Sequence, residues 1–212
     1  MDLGGRGSIK KWFSYDVSVF LLEYTNRIGF VRERDASFNI IRYTRNIGAS
    51  RSMGVESFLE IDLFNLAGRT AKWGNLVFYT SAAYVNAFYT KAYLKDLEGN
   101  RMEFAPMWNI RPGLNFRYKK FSTSVQFSYV TKQYTDAKNT EKDAATSVAG
   151  VVPSYYVADW SLNYSVKSIQ LSTGINNFTN SIYFTRRAVS YPGPGIIPAE
   201  PRTFYISLGL KL

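Results

Sequence analysis

The chain has 212 residues, 46% of them hydrophobic and 17% aromatic, with no Cys, no His and a formal charge of +10. That length and apolar content fit one ordered domain, and the missing Cys and His exclude disulfide frameworks, Cys/His zinc sites and a Ser-His-Asp triad. The 26 Lys and Arg are spread over every segment instead of forming one basic run, which favours attraction to an anionic surface or solute over nucleic-acid binding.

Tyr and Phe dominate the aromatics and sit among Ser, Thr, Asn and β-branched residues, a mixture that suits strands. The opening stretch has no apolar core long enough for a signal peptide, its longest run being Val19–Leu22, and no segment approaches a membrane helix of ~18 apolar residues. Period-two alternation predicts strands in chain order. A short one covers Arg6–Lys10, and Phe13–Tyr24 follows, with Tyr15, Val17, Val19 and Leu21 opposed to Ser14, Asp16 and Ser18. Met53–Leu63 sets Val55, Leu59 and Ile61 against Glu56, Glu60 and Asp62. Strands over Asn75 to about Tyr93, Met107–Tyr118, Phe121–Thr131, Ala158–Val166 and Ile169–Ile175 come next, and Arg202–Leu212 alternates without a break to the last residue. The expected total is nine.

Short connections are expected at Lys10-Lys11, around Asn65–Lys72, at Lys119-Lys120 and at Val166–Ser168. Long ones are expected over about Asn26–Tyr43, Leu94–Phe104, Asp136–Pro153 and Phe178–Pro201. Short and long alternate, so an antiparallel meander places all short turns at one end and all long loops at the other. A soluble β-sandwich also alternates. Its strands, however, usually run about 5–6 residues, and alternation here persists for about ten, the length that crosses a bilayer at a tilt. Aromatics flank strand ends as in interfacial girdles: Trp12, Phe13 and Tyr15, then Tyr118 and Phe121, then Tyr155 and Tyr156. The fold class expected is all-β, an antiparallel transmembrane β-barrel. Nine strands is odd, whereas bacterial single-chain barrels are even and open edges cannot face hydrocarbon. Residues 1–212 are therefore expected to be the C-terminal piece of a larger barrel, with Met1 an internal or truncation methionine.

The stretch NNFTNSIYFTRRAVSYPGPGIIPAEPRTFYISLGLKL, Asn176–Leu212, resembles the end of a TonB-dependent outer-membrane receptor, in particular of the ferric citrate and siderophore group. NIGASRSMGVESFLEID, Asn46–Asp62, resembles that family's strand with a Gly-x-Glu motif, and FSYDVSVFLLEYTNRIG, Phe13–Gly29, resembles the hairpin before it. The final Leu212 departs from the Phe that ends many outer-membrane proteins. The resemblance implies the last nine strands of a barrel of about 22, with the plug domain, TonB box and N-terminal strands lying outside this stretch. It implies a transporter in the bacterial outer membrane that imports a ferric chelate such as iron(III) dicitrate or a siderophore. Its partners would be the TonB-ExbB-ExbD system, outer-membrane lipid and lipopolysaccharide, and not nucleic acid. No cofactor is implied, since iron enters only as chelated substrate.

Candidate sites follow. Glu56, Glu60 and Asp62 share one strand face; the resemblance implies that Glu56 and Glu60 meet the plug, while ordinary solvated lumen lining explains the same row. Arg186 and Arg187 in the last long connection, with Arg32, Arg34, Arg42 and Arg45 in the first, place guanidinium groups where an anionic chelate would arrive, a match to bidentate carboxylate recognition. Lipopolysaccharide contact or solubility explains them equally. Tyr191, with Tyr183 and Phe184, lines a binding mouth or packs the loop. Pro192–Pro198 is not a phosphate loop, because proline removes the N–H groups one needs. No enzyme is expected: a barrel protease or phospholipase lacks its His. A passive porin, a structural or adhesive barrel, or uptake of cobalamin or a glycan remain alternatives.

Overall fold

The computed structural model describes residues 1–34, 40–69, 71–143, 145, 147–188 and 195–210, with side chains described for all of these except 29–34, 40–43, 45 and 71. The strands in chain order are β1 (Asp2–Ile9), β2 (Phe13–Arg34), β3 (Ile40–Asp62), β4 (Asn75–Ala92), β5 (Trp108–Tyr118), β6 (Phe121–Val130), β7 (Gln133–Tyr134), β8 (Val151–Val152), β9 (Tyr155–Val166), β10 (Ile169–Asn176), β11 (Phe184–Ala188), β12 (Gly195–Pro198) and β13 (Thr203–Leu210). A one-turn helix α1 (Leu63–Leu66) follows β3. Nine strands form one antiparallel sheet in the order β1-β2-β3-β4-β5-β6-β9-β10-β13. The remaining four make two small ribbons, β7 with β8 and β11 with β12, inside the long connections. The sheet is a meander and is not closed, with β1 and β13 at its edges.

The nine long strands match the nine expected from alternation, but boundaries move: β1 starts at Asp2 instead of Arg6, β9 at Tyr155 instead of Ala158, and β2 and β3 run far beyond the expected Tyr24 and Met53. Asn26–Tyr43, expected to be a long loop, is mostly strand: the β2–β3 ladder continues from Ile28 opposite Asn46 to Arg34 opposite Ile40. Arg and Glu are frequent there, yet Ile28, Phe30, Val31, Ile40, Ile41 and Tyr43 are strand formers interleaved with them. A ladder standing in water tolerates charge on its faces, so polarity alone did not mark its end.

The register separates two faces. Phe13 pairs with Ile61, Tyr15 with Leu59, Val17 with Ser57, Val19 with Val55 and Leu21 with Met53, all on one side. Across the sheet the same side carries Leu114, Phe116, Val125, Phe127, Leu162, Tyr164, Leu171 and Leu208. These residues are not a core. Val19, Val55, Leu114, Val125 and Phe127 are exposed, while the buried apolar set is small and lies mainly near the long-loop end, as with Ala49, Ala87, Tyr89 and Val152. A sandwich would bury its apolar face; here that face points outward, and hydrocarbon is the medium that satisfies it. The band runs from Phe13 to Leu21 on β2, roughly 27–30 Å of strand at about 3.3 Å per residue. At the next outward position Arg51 donates from Nε to Glu23 Oε1 at 2.7 Å, so the pair marks the upper limit of the apolar band.

The opposite face is polar. It carries Ser14, Asp16, Ser18, Glu56, Glu60, Ser81, Asn109, Arg111, Gln126, Asp159, Ser161, Asn163 and Ser172. Direct bonds join neighbours on it: Ser124 Oγ and Ser161 Oγ are 2.8 Å apart, and Ser172 Oγ lies 2.7 Å from Asn163 Oδ1. Gly113 is needed on this face because the Tyr79 ring lies over it, and a Cβ there would sit 2.4 Å from Tyr79 Cζ. Tyr79 so placed reaches across to Gln126 Oε1 at 3.3 Å.

Candidate functional site

The carboxylate row on β3 divides into three environments. Glu56 lies opposite Ser18 on β2 and Ala83 on β4 and lines a concavity of about 400 Å³ with Asp16, Phe58 and Ser81. Glu60 lies opposite Ser14 and Tyr79 in a second concavity of about 370 Å³, nearer the short turns, beside Lys10, Lys11 and Trp12. Asp62 has a different task. Its Oδ1 accepts from the Phe64 and Asn65 N–H groups at 3.1 and 2.9 Å, and its Oδ2 from Asn65 Nδ2 and Asn75 Nδ2, both at 2.6 Å. It is the N-cap of α1 and ties that turn to the start of β4. Among the described residues no three His, Cys, Asp or Glu come together to hold a metal ion.

The arginines of the last long connection also part company. Arg186 is exposed on β11, opposite Ile197. Its neighbour Arg187 is 5% exposed and fully engaged within the protein. It donates from Nε and Nη2 to the Val151 carbonyl at 3.1 and 2.8 Å, from Nη1 to the Ser147 carbonyl at 2.9 Å and from Nη2 to Asp143 Oδ1 at 2.6 Å, with its guanidinium 5.1 Å from the Phe184 ring centroid. Alternation along β11 puts the two side chains on opposite faces. Arg187 thus clamps the 131–154 connection to the 177–202 connection. Gly150 permits this with φ +126°; a Cβ there would lie 2.5 Å from Asp143 Oδ1.

A second tie joins 131–154 to the 93–107 connection. Asn139 accepts from Arg101 N–H through Oδ1 and donates through Nδ2 to the Arg101 carbonyl, both at 2.8 Å, while Asn100 Nδ2 reaches the Ala137 carbonyl at 3.0 Å. Asn177, in the Asn-Phe-Thr sequence, is 3% exposed and bonds through its side chain to Ser181 and the Glu200 carbonyl. It organises its own turn. Arg42 and Arg45 lie on β3 in the tall part of the β2–β3 hairpin, opposite Arg32 and Gly29, with side chains outside the described set, and Tyr191 is outside the described residues altogether. Tyr183 stacks on Tyr155 with centroids 4.7 Å apart, and burial pushes its phenol above the ordinary range, helped by Asp159 and Glu200.

A further group was not anticipated. Above the apolar band, on the continuation of the polar face, the Arg27 guanidinium lies 5.6 Å from the Tyr89 ring centroid, Tyr89 donates its hydroxyl to Glu103 Oε2 at 2.8 Å, and Ser50 is the register partner of Tyr89. Arg27 Nη1 and Ser50 Oγ are buried with no hydrogen-bond partner among the described residues. Register shifts at Tyr24/Arg27 on β2 and at Ala49/Ser50 on β3 bring these strands' residues together. No pattern of residue types announces a bulge there, so alternation alone could not assemble the group. A buried guanidinium nitrogen and a buried hydroxyl without partners can receive an acceptor such as a carboxylate oxygen.

The family model for the TonB-dependent receptor-like β-barrel matches residues 2–178. The chain belongs to the TonB-dependent receptor β-barrel family. Barrels of this family lie in the bacterial outer membrane, and the family includes receptors for ferric citrate and iron siderophores. Among solved structures, the ferric citrate transporter FecA in its unliganded form superposes with a TM-score of 0.80 at 24% identity, covering 99% of this chain and 30% of that one. The siderophore receptor PiuA from Acinetobacter baumannii gives 0.70 at 20% identity, covering 99% and 28%. The copper transporter OprC gives 0.70 at 17%, covering 99% and 30%. At these identities the likeness fixes the fold. The chain spans about a third or less of each of these proteins.

Proposed function

We propose that residues 1–212 are the C-terminal wall of a TonB-dependent outer-membrane transporter that takes up a ferric chelate carrying carboxylate or catecholate oxygens, such as iron(III) dicitrate or a siderophore. The unclosed sheet supports this: β1 and β13 need strand partners in a membrane, and further strands of the same barrel would supply them. The polar face then lines a lumen in which Glu56 and Glu60 meet a plug domain, with TonB, ExbB and ExbD engaging the protein through that other part. In the bacterial outer membrane the long connections face outward and form the ligand mouth.

The observation that carries the ligand class is the pair of buried donors, Arg27 Nη1 and Ser50 Oγ, on the mouth-facing polar side. Exposed Arg186 adds a second guanidinium at the same end. Arg187, buried with each of its three nitrogens bonded to protein oxygens, acts by holding the mouth's shape. The test uses the whole receptor containing this chain, expressed in cells that lack other ferric citrate and siderophore receptors, with uptake of radiolabelled iron measured for each chelate. Uptake that requires TonB is expected. Arg27→Ala is expected to weaken apparent affinity about tenfold to a hundredfold, the effect of removing a hydrogen bond to a charged group, with folded receptor still present in the membrane. TonB-independent flux of small solutes would instead identify a passive pore.

A further inference from the structure

The short-turn end carries a feature that ferric chelate uptake does not use. In its four connections, residues 10–12, 63–74, 119–120 and 167–168, every charged residue is Lys or Arg. The long connections mix signs: 93–107 contains Lys95, Asp96, Glu98, Arg101 and Glu103. Turn geometry does not explain the lysines. Lys10, Lys119 and Lys167 have φ of 53°, 51° and 49°, the left-handed region where Gly or Asn is the less costly residue. Three hairpins accept that cost and keep an ammonium group instead.

At one place this charge borders an apolar groove on the outward face. Trp73, Phe116, Tyr118 and the Lys72 side chain line a space of about 470 Å³. Gly74 makes the groove possible: its φ is +92° and a Cβ there would lie 2.4 Å from the Arg117 carbonyl oxygen, so the chain presses against β5 and brings Trp73 beside Tyr118. Phe64 closes one side against Phe116, with centroids 6.3 Å apart in an edge arrangement. Cations stand around it. The Arg69 guanidinium is 5.5 Å from the Trp73 centroid, Lys119 Nζ is 5.1 Å from the Tyr118 centroid, and Lys72 is part of the wall. Trp73 is 61% exposed.

We propose that this groove is a binding site for an anionic phospholipid of the leaflet on the short-turn side, its acyl chain against Trp73, Phe116 and Tyr118 and its phosphate among Lys72, Lys119 and Arg69. The apolar floor lies on the face that meets hydrocarbon, at the level where aromatic rings sit beside headgroups, and the basic side chains extend from that level toward the interface. Three cations, with no carboxylate among the described residues that line the groove, complement a phosphodiester, and a zwitterionic lipid offers them less net charge. This rests on the outward face lying in a bilayer, and not on which substrate the receptor carries.

The test is made on the whole receptor reconstituted in bilayer discs, with brominated phosphatidylglycerol or brominated phosphatidylcholine as quencher. The Trp73 signal is the difference between the protein and Trp73→Phe. Brominated phosphatidylglycerol is expected to reach half-quenching at roughly fivefold lower mole fraction than brominated phosphatidylcholine, the effect of one basic side chain at an anionic lipid surface. Lys72→Gln/Lys119→Gln should erase that preference, and Lys167→Gln, a turn lysine on another hairpin, should keep it. Equal quenching by the two lipids overturns the site, as does a preference that survives the double substitution or disappears with Lys167→Gln. Absence of quenching by either lipid would instead remove Trp73 from the bilayer, and with it the membrane placement itself. Unchanged gel mobility of the unheated barrel establishes that each variant is folded.

Discussion

The two ends of this sheet are built by different means. At the short-turn end each strand finds its partner through a local hairpin, and bonds such as those of Asp62 span at most 13 residues. At the long-loop end the order comes largely from side chains bonding to distant partners: Arg187 reaches backbone carbonyls 36 and 40 residues back and the Asp143 carboxylate 44 back, and Asn139 reaches backbone 38 residues away. The first end is specified by turn length and register. The second requires the loops to be packed on each other before the bonds of Arg187 and Asn139 to other connections exist. A mouth of the second kind depends on a few polar residues, Arg187 and Asn139 among them, to hold its connections to one another.

The largest effect expected from breaking this difference comes from Arg187→Ala. The substitution removes four hydrogen bonds at once and leaves the Val151 and Ser147 carbonyls without their donor. Hydrogen bonds to a charged group are worth about 1.5–3 kcal/mol, so the 131–154 connection should lose roughly 2–4 kcal/mol of local stability. Hydrogen exchange on the whole receptor should show residues 147–153 exchanging at least tenfold faster while β2 to β6 within the apolar band stay unchanged. Exchange that rises equally across the sheet would mean that the mouth and the wall unfold as one unit.

At the other end Asp62→Ala should do less. It removes the cap of α1 and the bond to Asn75, and lost caps cost about 0.5–2 kcal/mol. The change should stay local, with faster exchange in 63–67 and an unaltered mouth. Asp62→Asn should restore most of the protection, because Asn also caps. A loss of the folded barrel band in unheated gels with Asp62→Ala would show that the short turns are as interdependent as the long loops.

These two residues also mark how far the sequence could be read. All nine long strands were legible because period-two alternation persists for about ten residues in most of them and because a lipid-facing strand cannot change register without reversing its faces. The tall part of the β2–β3 hairpin is harder to read, because charges break its apolar pattern although strand formers run through it. For Asp62 alternation gives only a place in the Glu56–Glu60 row, since it fixes the face of a side chain and not its partners. Arg186 and Arg187 look equivalent in sequence, and the packing of β11 against the β7–β8 ribbon separates them. The Arg27, Ser50 and Tyr89 group was invisible for a related reason: two register shifts create it, and a shift of one residue leaves no mark in composition.

The smallest effect sharpens the same comparison through pH. Glu141 accepts from Lys132 Nζ at 2.6 Å and from the Tyr134 hydroxyl at 3.1 Å, a small exposed tie within the 131–154 connection. The hydrogen bond from Lys132 holds the Glu141 carboxyl below its ordinary range, and the same bond raises Lys132. A carboxyl depressed by folding stabilises the connection above its unfolded pKa, and that contribution fades as pH falls through the lowered folded value. A raised lysine does the opposite, contributing below its unfolded pKa and losing the contribution as pH rises through the folded one. The tie should therefore be intact across neutral pH and weaken only at acid below the usual carboxylate range or at strong alkali. Both groups are solvent-exposed, so the change in exchange at residues 138–142 should be small and should shrink further in high salt. Glu141→Gln should flatten the acid arm and leave protection by Arg187 untouched. If the acid arm persists in Glu141→Gln, the pH response does not come from this tie, and acid sensitivity is then no property of the 131–154 connection's own local bonds.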